Sequence, residues 1–334
     1  MLYRTSQRYR TIVLALFLIC LNSLPMRAQR LTTGDRFVSA AVDAKSGRIW
    51  FMDGPGGTTP PCIVLSAQDR SYLSVKVNGR LYSNNTTATG AGQPDVLLNN
   101  GSSSLSGDTI RTIWSMADCI ITQDVYPVSF EVSGQLVYRV RVTSATGQPV
   151  TAQAQYLLDP LINTEDQAAL LTRSDYTPNW TQYTPASTGG IPWFFLGFEH
   201  SPATPSGPGF MGCGYTVDQY APEPIGLRTP DLFALVDWRL ESATAWGPVT
   251  SAPWGSPYTG GDNAVLLEWP AVTIAPSADD NASEIARGSY GTGEIDICLG
   301  HFVAINFFPH RIRYDLSAKR YINNPFRLTS MLLN

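Results

Sequence analysis

Side chains suited to proton transfer are scarce in this chain, whose three histidines are His200, His301 and His310. An acid–base enzyme acting on a sugar typically places a histidine and a glutamate across its substrate. His200 follows Glu199 directly, but adjacent residues on a strand point to opposite faces of the sheet. No base, acid and orienting group occur together, so the sequence favours a protein without a catalytic histidine.

Nucleophile motifs are absent as well, since no G-x-S-x-G sequence occurs and no cysteine–histidine spacing suggests a reactive pair. Glycoside cleavage would instead need two carboxyl groups that lie close together in space, which a sequence does not place. The candidate carboxylates are Asp159, Glu165, Asp166, Asp175, Asp237, Glu241, Asp262 and Glu268.

Oxygen-bearing side chains gather in one predicted loop, at Asp159, Asn163, Glu165 and Asp166. Hard oxygen donors in a flexible loop are the ligands that Ca²⁺ prefers, although the spacing is not that of an EF-hand. The alternative is that Asp159 and Asp166 cap turns or helix ends through backbone hydrogen bonds. The sequence therefore predicts no obligatory cofactor, and calcium at this loop is the metal that these residues would favour.

Aromatic residues are concentrated in the second half of the chain. Trp246, Trp254 and Tyr258 lie in a Gly/Pro-rich stretch, which predicts that at least one ring is near solvent. Tryptophan rings stack well on the apolar faces of sugars. We therefore take these three residues and His200 as candidate ligand-binding residues. The alternative is that the loop tryptophans pack a long loop onto the sandwich. Trp269 lies in an apolar strand and is expected to be a core residue.

Apolar and polar residues alternate with a period of two, which predicts strands. Leu73–Val77 shows this pattern before a turn at Gly79. Leu136–Val142 and Val150–Leu158 show it on either side of the turn-forming residues 145–149. These last two segments predict one long hairpin with one solvent-exposed face and one buried face. We expect an all-β chain that forms one large, two-sheet antiparallel β-sandwich of the supersandwich type, with long Gly/Pro-rich loops.

The first residues have the order of a secretory signal peptide. Arg4, Arg8 and Arg10 precede the apolar run Ile12–Leu21, and the small residue Ala28 follows. The run is shorter than the roughly 20 apolar residues that a membrane-spanning helix needs. We expect cleavage after Ala28 and a secreted, periplasmic or cell-surface protein that does not span the membrane.

The charge balance excludes some partners. The predicted signal peptide contains four of the 23 basic residues and no acidic residue. The chain after cleavage therefore has 19 basic and 27 acidic residues, which gives a formal charge of −8. An acidic chain without a basic run is a poor partner for nucleic acid or an anionic lipid surface.

The remaining chain suits a single sandwich domain over residues 29–320, with residues 321–334 as a tail or the start of a truncated further domain. Four cysteines stay after cleavage, with no CxxC pair. They predict either disulfides, for which three pairings exist, or buried free thiols, and the sequence leaves both readings open. These residues are Cys62, Cys119, Cys213 and Cys298.

Several short motifs carry a family resemblance. They are Tyr156-Leu157-Leu158-Asp159 with its acidic loop, Ile191-Pro192-Trp193-Phe194, Asp262–Trp269 and Tyr290-Gly291. The region from about Val132 to Gly291 resembles an uncharacterised family of bacterial secreted β-sandwich domains, and its size and β content resemble the galactose-mutarotase class. The resemblance implies secretion and a sandwich fold, and no chemistry, because fold does not imply function.

These observations favour a secreted, non-enzymatic β-sandwich protein that binds carbohydrate or forms part of a cell-surface assembly. Its expected partner is a glycan or another surface protein. The alternative is a carbohydrate-active enzyme of the mutarotase-like or glycoside-cleaving kind, which requires an acid–base pair in a cleft.

Overall fold

The structure is a computed structural model, and it describes most of the chain from residue 30 onward. The described residues are 30–54, 66, 68–130, 134–162, 169–172, 175–176, 181–187, 190–192, 194–198, 211–218, 221, 224–249, 262–291, 295–298, 304–307, 313–315, 320–322 and 327–329. The predicted signal peptide lies outside these residues, so it stays a prediction.

Strands dominate the described chain, as the alternating pattern predicts. In order, they are β1 (Arg30–Gly34), β2 (Val38–Asp43), β3 (Ile49–Asp53), β4 (Tyr72–Val77), β5 (Arg80–Ser83), β6 (Val96–Leu97), β7 (Ser102–Ser106), β8 (Thr109–Ser115), β9 (Cys119–Ser129), β10 (Gly134–Ser144), β11 (Val150–Leu158), β12 (Ala169–Thr172), β13 (Asp175–Tyr176), β14 (Gln182–Tyr183), β15 (Phe194–Phe198), β16 (Met211–Tyr215), β17 (Leu232–Asp237), β18 (Asn263–Glu268), β19 (Val272–Ile274), β20 (Glu284–Gly291), β21 (Ile295–Cys298), β22 (Ala304–Phe307), β23 (Arg313–Asp315), β24 (Arg320–Ile322) and β25 (Arg327–Thr329).

Two large sheets pack as a sandwich, which confirms the predicted fold class. The nine-stranded sheet has the order β13-β12-β15-β16-β20-β10-β9-β8-β7. The eight-stranded sheet has the order β14-β17-β18-β11-β4-β5-β6, with β19 also paired to β11. Within these two sheets the neighbours are antiparallel except β5 and β6, which are parallel. Smaller sheets are β1-β2-β3, β21-β22-β25 and β23-β24.

The predicted hairpin of β10 and β11 is wrong. β10 pairs with β9 and β20 in the nine-stranded sheet, whereas β11 pairs with β4, β18 and β19 in the eight-stranded sheet. The turn at residues 145–149 therefore carries the chain from one sheet to the other. Alternation alone does not distinguish this arch from a hairpin, because both present one side of each strand to a shared core.

Aromatic rings fill the space between the sheets. Tyr138 of β10 stacks on Tyr156 of β11 with ring centroids 4.5 Å apart, and Trp269 meets Tyr138 edge-on at 6.3 Å. Phe51 and Tyr290 extend the cluster with an edge contact at 5.3 Å. All five side chains are almost completely buried, so Trp269 is a core residue, as expected.

Glycines in the nine-stranded sheet make room for these rings. Gly288 lies opposite Tyr138 in the β10–β20 pair, and a methyl group there would be 2.3 Å from the Tyr138 hydroxyl oxygen. Gly214 lies opposite Phe195 in the β15–β16 pair, where a methyl group would be 2.2 Å from the Phe195 ring. A large ring on one strand thus requires glycine, whose side chain is a single hydrogen, at the opposite position of the next strand.

The turn between β4 and β5 follows from its sequence. Asn78 and Gly79 both have positive φ, at 50° and 82°, and Val77 pairs with Arg80. Asparagine and glycine are the residues that tolerate this conformation best, so an Asn-Gly pair favours a two-residue hairpin turn. The predicted turn at Gly79 is confirmed.

Helix is limited to short turns in the described residues. Helix α1 spans Trp238–Glu241 and is capped by Asp237, whose carboxylate accepts a hydrogen bond from the Arg239 amide at 2.9 Å. One turn of 3-10 helix covers Gly90–Gly92. Over the described ranges, no helix is long and apolar enough to cross a membrane.

Two of the cysteines are free thiols in the structure. Cys119 and Cys213 are completely buried and unpaired. Burial raises the pKa of the Cys119 thiol to about 12 and that of Cys213 further still, so neither is a reactive thiolate. No disulfide arrangement that includes Cys119 or Cys213 is correct. The side chains of Cys62 and Cys298 lie outside the described residues.

Thiol labelling checks this assignment. Because Cys119 and Cys213 are buried with raised pKa values, we expect neither to react with a thiol reagent in the native mature protein. Unfolding without reductant should make both reactive, as peptide mapping by mass spectrometry would show. Recovery of either residue in a disulfide-linked peptide would contradict the assignment.

Substitution of the core glycines tests the ring packing. We expect Gly288→Ala and Gly214→Ala each to lower the free energy of unfolding by about 1–3 kcal/mol, because overpacking forces side chains off their preferred rotamers. Chemical denaturation measures this loss. Gly197→Ala is the matched control, since its methyl group would come no closer than 3.3 Å to the flexible Ile162 side chain and 3.7 Å to Leu170. Equal losses for all three variants would contradict the packing argument.

Candidate functional site

The strands that form the core also present a polar surface on the outside of the eight-stranded sheet. Lys76 of β4 pairs with Gln153 of β11, and Gln155 of β11 pairs with Glu268 of β18. Period-two alternation puts these four side chains on one face, opposite the core residues between them. With Trp246, which follows α1, they form what we term the polar patch.

The segment after α1, residues 242–249, is held against this outer face by side-chain hydrogen bonds to its backbone, and we term it the covering segment. The Asn85 amide nitrogen donates to the carbonyl oxygens of Ser242 and Thr244, at 2.9 and 3.0 Å. The Gln155 side chain donates to the Gly247 carbonyl at 2.7 Å and accepts from the Gly247 amide at 2.8 Å. Trp246 lies between these anchors, so its position is fixed by residues distant in sequence.

Glu268 is the central acceptor of the patch. Its two carboxylate oxygens each accept a hydrogen bond at 2.8 Å, one from Gln153 and one from Gln155. Burial raises the pKa of Glu268, and the Gln155 bond and the nearby Lys76 oppose that rise. The carboxylate is therefore oriented by two amides while its edge stays partly exposed.

Lys76 brings a cation to the aromatic ring. Its Nζ lies 3.9 Å from the centre of the Trp246 ring, a cation–π distance. Burial lowers the pKa of Lys76, and the charge of Glu268 opposes this effect. Both Lys76 and Trp246 are half-buried, so each residue keeps part of its surface in contact with solvent.

A buried carboxyl group lies beneath the covering segment. Glu241 at the end of α1 is 2% exposed, and its Oε2 accepts a hydrogen bond from the Val249 amide at 3.1 Å. Its Oε1 has no hydrogen-bond partner among the described residues. Burial raises the pKa of Glu241 to about 7. A methyl group at Gly247 would collide with Oε1, so a larger residue here would have to displace the Glu241 carboxyl group.

Gln155 binds both the Glu268 carboxylate and the Gly247 backbone, and Gly247 lies against the Glu241 carboxyl group. The two candidate carboxyl groups are therefore near each other, but they differ in solvent exposure. Glu241 is enclosed and does not reach a ligand, whereas Glu268 is partly exposed on the patch. The patch combines amide, carboxylate and ammonium groups with an aromatic surface. This set suits hydrogen bonding and stacking with a hydroxyl-rich molecule better than paired-carboxyl catalysis.

The predicted calcium loop is only partly described. Asp159 is completely buried, and the Arg70 Nη1 lies 3.9 Å from it and 3.6 Å from Asp262, so a cation already faces both carboxylates. In the described part of the chain, no group of three His, Cys, Asp or Glu side chains could hold a metal ion. The other proposed ligands, Asn163, Glu165 and Asp166, lie outside the described residues, so the calcium site stays a prediction.

The other proposed ligand-binding residues, Trp254, Tyr258 and His200, also lie outside the described residues. Of that set, the structure places Trp246, and it adds Lys76, Gln153 and Gln155, which sequence reasoning did not select. Their signal was present, since they are polar positions on the wet face of alternating strands. The alternating pattern does not show that the three strands that carry these residues are neighbours in the sheet.

Arginines also converge on the outer face of the nine-stranded sheet, although the sequence has no basic run. Those on β8, β10 and β20 are Arg111, Arg139, Arg141 and Arg287. Asp124 pairs with Arg111 and Arg141 at 2.7 Å each, and Glu284 pairs with Arg287 at 2.6 Å and with Arg139. Carboxylates thus compensate these arginines, and the network ties neighbouring strands together.

A comparison with protein-family models found no match, and a search of curated proteins found no similar sequence. The resemblance to secreted bacterial β-sandwich domains therefore stays a prediction.

Glu241 gives the protein a stability that depends on pH. Its pKa is near 7 in the folded state, against 4.5 for an unperturbed glutamate. The folded state therefore binds the proton more tightly, and stability should fall as pH rises from about 4.5 to 7. The loss attributable to this group is on the order of 3 kcal/mol. Thermal unfolding from pH 4.5 to pH 8 measures it.

Glu241→Gln should flatten that pH dependence and raise the melting temperature at pH 8, because the amide carries no charge to bury. Asp231→Asn is the matched control, since Asp231 is an exposed carboxylate and its replacement should leave the pH profile unchanged. An unchanged pH profile in Glu241→Gln would show that Glu241 is not the titrating group.

Proposed function

We propose that this chain is a secreted, non-enzymatic β-sandwich protein that binds carbohydrate at the polar patch. The observation that carries the proposal is the half-buried Trp246 ring beside Lys76, on the sheet face that also carries the hydrogen-bonded Gln153–Glu268 pair. Sugar recognition uses an aromatic surface for the apolar ring face and oriented polar groups for the hydroxyls.

Preorganisation supports this proposal. Gln155 holds both Gly247 and Glu268, so the covering segment and the carboxylate share one rigid anchor. Groups that are already fixed lose little conformational entropy on binding, which favours affinity for a weakly held, hydroxyl-rich ligand. Lys76 and Glu268 bring opposite charges to the patch, so we expect neutral glycans rather than strongly acidic ones to bind best.

The alternative of a carbohydrate-active enzyme has less support. It needs a second accessible acid or base beside Glu268, and Glu241 is enclosed. A role in a cell-surface assembly is compatible with the proposal, because a protein that binds a glycan can present it or be tethered by it. We propose secretion, with a periplasmic or cell-surface location, on the basis of the N-terminal pattern.

Binding of the mature chain to a glycan array tests the function, and Trp246→Ala tests the site. We expect at least a tenfold loss of affinity in Trp246→Ala for any glycan that the wild type binds, equivalent to about 1.4 kcal/mol. Titration calorimetry with that glycan measures the loss.

Trp50→Ala is the matched control, because Trp50 is also half-buried and has Arg30 5.6 Å from its ring centre, on another sheet. Its affinity should equal that of the wild type. A blank array, or equal losses in both variants, would contradict the proposal. Repeating the array in EDTA would show whether binding also needs calcium.

A further inference from the structure

Among the residues that the structure describes, strand β7 forms one edge of the nine-stranded sheet. It pairs with β8 on one side, and no described strand pairs with its other side. The two-residue turn at Gly107 and Asp108 closes on the pair Ser106–Thr109. Hydrogen-bonded and non-hydrogen-bonded pairs alternate along an antiparallel ladder. The backbone groups of Ser103 and Leu105 therefore point away from β8.

Strand β7 itself lacks the charge and the proline that normally block pairing with another strand, while its inner face is covered by β1 and by the turn at Ala44 and Lys45. Ser102–Ser106 contains no charge and no proline, and its sequence is Ser-Ser-Ser-Leu-Ser. Natural edge strands are usually protected by lysine, proline, a bulge or a covering segment. Leu105 is 49% exposed and Ile113 on β8 is 36% exposed, two of the three large apolar side chains exposed in the described chain. An uncharged edge flanked by exposed apolar groups is suited to strand addition.

The edge is also complementary to itself. An antiparallel copy centred on Ser104 would place Ser103 opposite Leu105 of the second copy, and Leu105 opposite its Ser103. All four residues then point their backbone groups at the partner, which gives four hydrogen bonds about a two-fold axis. No like charges meet in this register, because the strand carries none.

We propose that β7 is a self-association edge, through which two copies of the chain join their nine-stranded sheets by antiparallel β7–β7 pairing. A contact of one short strand buries less than the roughly 800 Å² per partner of a standard interface, so the dimer is weak and forms with rising concentration. Two copies would present two polar patches, which would raise the avidity for a repeating glycan. That consequence rests on the proposed function, whereas the dimer itself does not.

A cysteine cross-link tests the register. In the proposed dimer, the two Ser104 residues form a non-hydrogen-bonded pair with Cα atoms about 4.5 Å apart, within disulfide range. Ser104 is exposed, so Ser104→Cys should fold normally. Under mild oxidation of the concentrated full chain, we expect most of this variant to run as a reducible dimer on non-reducing electrophoresis.

Ser106→Cys is the matched control. Ser106 is also exposed and lies on the same face, but in this register it lies opposite Ser102, roughly 13 Å from its own copy. On non-reducing electrophoresis it should run as a monomer, with no more cross-linked species than the wild type, whose Cys119 and Cys213 are buried. Adding Leu105→Pro to Ser104→Cys removes two of the intermolecular donors and should abolish the cross-link, with folding checked by circular dichroism.

Sedimentation velocity of the wild type gives an independent readout, with a rising weight-average mass expected as concentration increases. A monomeric mass at every concentration, together with no cross-link in Ser104→Cys, would overturn the proposal. The same result is expected if the edge binds a different protein instead of a second copy. Equal cross-linking of both cysteine variants would also overturn it, because it would indicate random collision. Neither result depends on glycan binding.

Discussion

The contact between Tyr138 and Tyr156 is the constraint on which the sandwich depends. The two rings stack 4.5 Å apart across the core, yet they lie on strands that follow one another in the sequence. Neither hydroxyl has a hydrogen-bond partner among the described residues, and burial raises both pKa values. The rings therefore stay neutral, and their apolar area must outweigh the desolvation of two hydroxyls. Gly288 makes the arrangement possible, since any larger residue would collide with Tyr138.

The same strands connect this core to the polar patch. Tyr156 points into the sandwich, while its neighbour Gln155 points out and holds both Gly247 and Glu268. A rigid, fully packed strand thus supports the hydrogen bonds that position Trp246. Sites built on strands keep their geometry better than sites built on long loops. The cost is the enclosed Glu241, whose carboxyl group lies under the covering segment and links stability to pH.

Some of this could be predicted from residues alone. The alternation in Leu73–Val77 and the Asn78-Gly79 turn identify β4 and its hairpin with β5, because these patterns are local. The free state of Cys119 could not be predicted, since spacing along the chain does not show which thiols approach each other. Trp246 was selected for its Gly/Pro-rich context. Its partners Lys76 and Gln153 were not, because they lie about 170 and 93 residues away in the sequence.

The sequence by itself determined the fold class, the turn chemistry and which face of each strand is apolar, since these depend on neighbouring residues and their period. The tertiary structure decided which strands pair. It sent β10 and β11 to different sheets, although the pattern on each is the same as in a hairpin. It also brought Lys76, Gln155, Trp246 and Glu268 together. Pairing is chosen by long-range packing of ring against glycine and by hydrogen bonds to distant backbone, and neither of these is written in any one segment.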